Sequence, residues 1–294
     1  MMDNLRPKFS IVLPIYKVEE YIEQCLISVI EQKCTNFELI CVNDVTPDRS
    51  MKIVEKYMKR DSRIEVINLP MNSGVGMARN IGVQHACGKY LCGIDPDDWL
   101  DPNYLSSMLE IYENYDVKSV WVKPWLYYDE PDYAQAMTVY PNFTHHPGGL
   151  HTLTPQTLTD FPVFVWNKSY DLDYVKENGF KWAEKTYFEE MYFYWNYFIS
   201  SPEIYIVNDF LYYYRQRGTS IMARKDIADK RIQCFYNVFY NIYKDIETKN
   251  YNPEYKETLK KFVTNFTSAD RADNSELKDF ANKCHNEFLR KICQ

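Results

Sequence analysis

At 294 residues, 46% of them hydrophobic and 26% charged, the chain has ample length for a large core, and one large domain with an appendage, or two domains, is the expectation. A formal net charge of −7 and a pI near 5.4 exclude nucleic acid as the expected partner, because binding a phosphate backbone needs a concentrated basic surface. No run of about 18 apolar residues exists, so no segment reads as a membrane-spanning helix.

The opening Met1-Met2-Asp3-Asn4-Leu5-Arg6-Pro7 lacks the apolar core of a signal peptide, and the expected location is the cytoplasm. Phe9-Ser10-Ile11-Val12-Leu13 reads as a strand ended by Pro14, and apolar residues then recur at helical spacing from Glu19 to about Gln32. Phe37 to Val42 predicts a second strand running out into Asn43-Asp44. Thr46-Pro47-Asp48 supplies a cap, a helical-position proline and an acid for the next helix, whose buried face is Ile53, Val54, Tyr57 and Met58. A third strand, Ile64-Glu65-Val66-Ile67, leads through Asn72-Ser73-Gly74-Val75-Gly76 to a helix from about Met77 to Ala86 that Gly88 terminates. Tyr90 to Ile94 is a fourth strand. This alternation predicts an α/β fold with a doubly wound, Rossmann-like, mostly parallel sheet. Such sheets bind ligands beyond the carboxyl ends of their strands, where Pro14-Ile15-Tyr16, Asp44 and Asp95 to Asp98 emerge.

Four carboxylates, Asp95, Asp97, Asp98 and Asp101, follow the fourth strand almost at once. Unpaired acids this close repel one another, and an oxygen-seeking divalent cation such as Mg²⁺ would relieve the repulsion. Such an ion takes one or two protein carboxylates and completes its shell with water and substrate phosphates, which suits Asp95-x-Asp97. Asp101 before Pro102 reads instead as the cap of the following helix. Gly74-Val75-Gly76-Met77-Ala78-Arg79 matches half of a dinucleotide fingerprint, but it follows the third strand and lacks the third glycine, so it is a poor nicotinamide site. As a loop opening a helix it could still approach a phosphate, with Arg79 adding charge.

After about Val117 aromatic residues become dense, from Trp121 and Trp125 to the run Tyr187 to Trp195; aromatic faces can stack on sugar rings, but most are expected to pack in the core. Asn142 to Pro162 reads as a loop over the site, with His145 and His146 exposed rather than ligating a metal. Glu184 to Ser200 predicts a helix with Glu189-Glu190 near its start, and a short strand at Ile204 to Val207 precedes Tyr212 to Ser220. From Ile227 onward the chain reads as a helical bundle or arm with Lys256, Lys260, Lys261 and Phe262 as exposed candidates. A solvated face is the simpler expectation for it, and peripheral contact with an anionic membrane surface is compatible. The eight cysteines form no C-x-x-C pair and read as reduced core thiols.

Taken in order, Pro14-Ile15-Tyr16, Glu19, Asn43-Asp44, Asn72-x-Gly74, Ala78-Arg79-Asn80, Asp95-Pro96-Asp97-Asp98, Trp166-Asn167-Lys168, Glu189-Glu190 and Tyr214-Arg215 resemble a family 2 inverting glycosyltransferase of the GT-A fold, of the bacterial surface-glycan type. The resemblance implies a transferase domain over 1–222, divided into a nucleotide-sugar half (9–115) and an acceptor half (116–222), with a helical region at 223–294. It implies single-displacement transfer of a hexose or N-acetylhexosamine from a UDP-sugar to a hydroxyl of a glycan or lipid-linked acceptor, with Mn²⁺ or Mg²⁺ bridging the diphosphate. Carried over by position, Asp44 binds the uracil, Arg79 lies near the base or diphosphate, Asp95 faces the ribose, and Asp97, with Asp95, holds the metal. Pro14, Tyr16 and Glu19 fall on the donor side, and Trp166, Lys168, Glu189 and Arg215 on the acceptor side. Glu190 stands where the family has the aspartate of a Glu-Asp pair, the general base. Two departures stand out: Val45-Thr46 replaces the usual Gly-Ser after Asp44, and the base is one methylene longer.

Two other classes compete. A sugar-phosphate nucleotidyltransferase would open with a glycine- and arginine-rich phosphate loop after the first strand, where this chain has Pro14-Ile15-Tyr16-Lys17. A non-catalytic carbohydrate- or nucleotide-binding protein derived from a transferase would have no need to keep both the acidic cluster and a candidate base. The sequence is compatible with a homodimer as well as a monomer.

Overall fold

The computed structural model of the chain describes residues 6–128, 137–140, 143, 145–216, 228–266 and 275–293. Its strands are β1 (Phe9–Ile15), β2 (Phe37–Asn43), β3 (Ile64–Asn68), β4 (Tyr90–Gly93), β5 (Trp99–Leu100), β6 (Ser119–Tyr128), β7 (Met137–Val139), β8 (Gly149–Thr152), β9 (Lys168–Asp171) and β10 (Glu203–Gln216). Its helices are α1 (Ile22–Ile30), α2 (Ser50–Met58), α3 (Val75–His85), α4 (Tyr104–Asn114), α5 (Leu172–Glu177), α6 (Glu189–Ser200), α7 (Ala228–Thr248), α8 (Glu254–Phe266) and α9 (Ser275–Ile292).

β1 is buried along its whole length, with Ile11, Leu13 and Ile15 in one core and Val12 in another, the pattern of a strand covered on both faces. The sheet runs β3-β2-β1-β4-β9-β6-β10-β5, with β7 added to β6 and β8 to β10. β9 is antiparallel to both β4 and β6, so β6 and its parallel neighbour β10 point the same way as β1. The expected α/β sheet with helices on both faces is present but mixed: β1, β2, β3, β4, β6 and β10 run one way and β5, β7, β8 and β9 against them, and the carboxyl ends of β1, β2, β4, β6 and β10 share one edge. Residues of α1, α2 and α4 pack with one face, and those of α3, α5 and α6 with the other. The C-terminal helices belong to this second layer through Phe235, Phe239 and Phe262, the latter two packed against Trp195. Phe262 is therefore half-buried, not one of the exposed residues the sequence suggested. Among the described residues no helix is long and apolar enough to cross a membrane, and all eight cysteines are free.

Several boundaries differ from expectation for identifiable reasons. Pro14 lies inside β1: the Val12 carbonyl faces β4 and the Ile15 carbonyl faces β2, so alternation turns the proline nitrogen toward β4, past Val12, the last residue of β1 paired with it. Pro47 and Pro102 stay outside their helices. Asp48 accepts from the Ser50 N–H (3.1 Å) and Asp101 from the Asn103 N–H (2.8 Å), each closing a turn just before its helix. α6 begins at Glu189 because Lys185 (φ 53°) and Phe188 (φ 63°) have left-handed backbone that no right-handed helix accommodates. β10 is one strand of 14 residues whose register slips around Phe210. β8 pairs with Glu203 to Ile206 at the amino end of β10, so this part of the expected covering loop lies at the opposite edge from the site, and His146 packs on Phe161 (3.9 Å). Asn142, Arg217 to Ser220, Ile227 and the expected boundary at 222 lie outside the described residues.

Candidate active site

The loops leaving β1 and β2 are hydrogen-bonded to each other. The Asp44 N–H donates to the Ile15 carbonyl (3.1 Å), and the Lys17 N–H to the Thr46 hydroxyl (2.8 Å). Glu19 donates its N–H to Asp48 (3.0 Å) while its carboxylate accepts from the Arg49 N–H (2.7 Å). Glu19 thus secures the start of α2, Pro14 is buried, and Tyr16 is left 42% exposed at the strand end. Asp44 is 3% exposed: Oδ1 accepts from the Ser73 N–H (2.6 Å), and Oδ2 from the Gly74 N–H (2.9 Å) and the Asn72 amide (3.1 Å). Asn72-x-Gly74 is therefore an anchor for Asp44, and Gly74 has the left-handed φ of 85° that glycine adopts without cost.

The four acids after β4 divide into two pairs. Asp98 is buried, its carboxylate accepting from the Tyr212 hydroxyl (2.7 Å) and the Arg215 N–H (2.8 Å); burial and the charges of Asp97 and Asp95 push its carboxyl well above the usual range. Arg215 also donates to the Asp97 carbonyl (2.8 Å) and to Gln24 (2.6 Å), with its guanidinium about the rings of Tyr21 and Trp99. Asp98 and Arg215 are struts of the turn, and Asp101 closes the turn before α4. Asp95 and Asp97 remain half-buried at the edge. Among the described residues no three His, Cys, Asp or Glu side chains gather to hold a metal ion. Two carboxylates suit a cation that takes the rest of its shell from water and a phosphorylated ligand.

Arg79 links this turn to α6. It is 6% exposed and donates to Asp95 (2.8 Å) and to Glu189 (2.7 Å). Both bonds go to protein acids, not into the crevice as expected, and the acids hold the guanidinium firmly charged. Glu189, at 9% exposed, is the partner of this ion pair. Next to it Glu190 has its carboxyl raised well above the usual carboxylate range by burial and by the Glu189 charge.

Trp166 and Lys168, expected beside an acceptor, are in the core. Trp166 stacks on Phe164 and Tyr212, both at 4.4 Å. Lys168 donates to the carbonyls of Pro162 (3.1 Å) and Phe164 (2.5 Å) and to Asn167 (2.8 Å), and burial pushes its ammonium well below the ordinary lysine range. It ties down the turn that brings the Val165 carbonyl to where it would lie 3.6 Å from a Cβ on Gly93, just before the acidic turn. Gly76 reads from the sequence only as part of a loop that could approach a phosphate and Asn80 only as part of the family motif, whereas both bear on the segment before α6. The available signal was their spacing with Arg79, at i, i+3 and i+4, which puts all three on one helix face.

The profile described as glycosyl transferase family 2 matches residues 10–174. The glycosyltransferase EpsJ of Bacillus subtilis (strain 168) is 30% identical over 256 residues, covering 81% of this chain and 71% of that protein. The teichuronic acid biosynthesis glycosyltransferase TuaG of the same organism is 37% identical over 109 residues, 37% of this chain and 43% of TuaG. In structure, S. aureus TarS 1–349 in complex with UDP-GlcNAc superposes with a TM-score of 0.79 at 21% identity, covering 97% of this chain and 81% of that one.

Proposed function

The chain belongs to glycosyl transferase family 2 and is a glycosyltransferase of the GT-A fold, and from that premise we propose that it transfers a hexose or N-acetylhexosamine from a UDP-sugar, with inversion, to a hydroxyl of a surface glycan or its lipid-linked precursor. One observation carries the reading: Arg79 bridges Asp95, one of the half-buried acids after β4, to Glu189, and so brings the acidic turn beside the start of α6, where the neighbouring Glu190 has its carboxyl raised. The TarS complex with UDP-GlcNAc supports a UDP donor, and the likeness to TuaG, named for teichuronic acid biosynthesis, supports a surface-glycan acceptor. We retain the division into a donor half (9–115) and an acceptor half (116–222), since the acids fall in the first and Glu190 in the second.

Asp95 and Asp97 would hold Mn²⁺ or Mg²⁺, whose contribution when bound is to neutralise the charge that grows on the departing diphosphate. The acceptor hydroxyl has a pKa far above 7, so Glu190 cannot deprotonate it in advance. Its carboxylate takes the proton as the hydroxyl oxygen bonds to the anomeric carbon and the bond from that carbon to the diphosphate oxygen breaks. A carboxyl held above its usual range accepts that proton more readily than an ordinary surface glutamate.

A panel of nucleotide sugars, assayed for Mn²⁺-dependent release of UDP, tests the reading and separates it from a non-catalytic binding protein. Release from at least one UDP-sugar is expected. Binding of UDP without release from any member of the panel would overturn the enzymatic reading.

A further inference from the structure

α6 starts from a strained turn. Phe188 sits at φ 63° and Lys185 at φ 53°, and a non-glycine residue so held costs on the order of 1–3 kcal/mol and persists only where its surroundings over-determine it. The surroundings here are one face of α3. Asn80 donates to the Trp182 carbonyl (3.0 Å) and accepts from the Trp182 N–H (2.9 Å), so both backbone groups of that residue are held by one amide. Trp182 in turn stacks on Phe193, one turn into α6, at 4.2 Å. Arg79 holds Glu189, and the Ala183 N–H closes the intervening loop on the Glu189 carbonyl (3.3 Å). At Gly76 a Cβ would lie 2.1 Å from the Ala183 carbonyl oxygen and 3.3 Å from the Glu189 Cβ. The two segments are therefore in contact with no space for a methyl group.

We propose that Gly76, Arg79 and Asn80 are positioning residues for Glu190: one face of α3 seats the 182–189 segment and so sets where the first turn of α6 delivers its carboxylate. Through the second nitrogen of Arg79 the same helix reaches Asp95, which fixes the distance between the donor-side acids and the base. The half-fingerprint of glycines and arginine after β3 thus serves the base rather than a phosphate. The proposal rests on the reading of Glu190 as the base. It differs in what it demands: residues that need touch neither donor nor acceptor should still govern turnover.

The decisive variant is Gly76→Ala, measured in three ways. Turnover of UDP-N-acetylglucosamine at saturating donor should fall by up to about 10², the cost of misplacing a reacting group by about 1 Å. Affinity for UDP with Mn²⁺, by calorimetry, should stay within about threefold, because the donor-side acids do not move. Amide exchange over residues 183–192, which needs no donor, should quicken by about tenfold as the turn loosens. Asn80→Ala frees both backbone groups of Trp182 and touches none of the acids after β4, so it carries the same expectation should Gly76→Ala fail to fold. Unchanged turnover and exchange in both variants would overturn the proposal, as would lost UDP affinity with saturating turnover intact, which would make α3 a donor-binding element. Glu190→Gln measured alongside keeps the two readings apart. If it retains turnover the base reading falls and the proposal with it, whereas a dead Glu190→Gln beside a fully active Gly76→Ala removes the positioning role alone.

Discussion

Replacing Asp44 by asparagine separates support of the loop from recognition of a base. In the folded chain two carboxylate oxygens receive three donors, from Ser73, Gly74 and Asn72, in a site only 3% exposed. An amide of the same shape keeps one accepting oxygen and turns an NH₂ group toward an N–H that then has no acceptor. Hydrogen bonds to a charged group contribute about 1.5–3 kcal/mol each, and a stranded buried donor costs about as much, so Asp44→Asn should destabilise the fold by about 3 kcal/mol. At about 2 °C per kcal/mol for a chain of this size, the melting temperature should drop by about 6 °C in a circular dichroism melt. A drop of less than about 1 °C would refute the claim that Asp44 anchors the Asn72–Gly74 loop. If Asp44 also reads uracil, Asp44→Ala must weaken UDP much more than inorganic diphosphate in calorimetry; equal losses would leave it the anchoring role alone.

Asp97→Ala should abolish Mn²⁺-dependent binding of UDP, and unchanged affinity would move the cation elsewhere. Glu190→Gln should lower turnover by about 10²–10⁴ with UDP binding intact; if Glu189→Gln alone does this, the base is Glu189. The ionised fraction of Glu190 grows as pH rises through its raised value, so turnover should rise on the acid side with a midpoint above the ordinary carboxylate range. Glu189→Gln removes one of the charges responsible and should move that limb to lower pH, and an unmoved or raised midpoint would mean that the Glu189 charge is not what raises the carboxyl. Val45→Gly should raise stability by about 1 kcal/mol in denaturant titration, since a left-handed β-branched residue costs about 1–2 kcal/mol and glycine returns part of that as chain entropy. A loss of stability would show that the valine side chain makes compensating contacts.

The elements that hydrophobic period and turn chemistry determine were readable from residues alone. Ile11, Val12 and Leu13, and Leu39, Ile40 and Cys41, alternate between two cores, so their strands and the parallel part of the sheet could be inferred. The division of labour within the acidic cluster could not. Asp98 is structural only because Tyr212 and Arg215, more than a hundred residues later, arrive to bond it, and four consecutive-looking acids carry no mark of that. Lys168 was misplaced for a related reason: a lysine in a motif reads as an exposed charge, whereas the carbonyls of Pro162 and Phe164 satisfy its ammonium inside the core. The start of α6 was set too early because apolar spacing continues back through Tyr187 and Phe188, and period does not report a backbone that turns left-handed.

That backbone is informative about where the chain does its chemistry. Five described residues other than glycine have positive φ, namely Lys17, Val45, Lys185, Phe188 and Asn250. Lys17 and Val45 follow the carboxyl ends of β1 and β2, and Lys185 and Phe188 precede the two glutamates of α6, so four of the five border the crevice. Each is costly, and each sits beside bonds that hold it: the Lys17 N–H on Thr46, Asp44 on the Asn72–Gly74 loop, Glu189 on Arg79. Val45 shows that the strain is not incidental, because glycine, the residue family 2 resemblance leads one to expect there, would adopt φ 55° freely. Val45, 45% exposed at the end of β2, belongs to neither core, so core packing is not what holds it in this conformation. The loops that face the donor and the turn that delivers the base are therefore strained in the same way, and each is pinned by polar contacts that reach across from a neighbouring element.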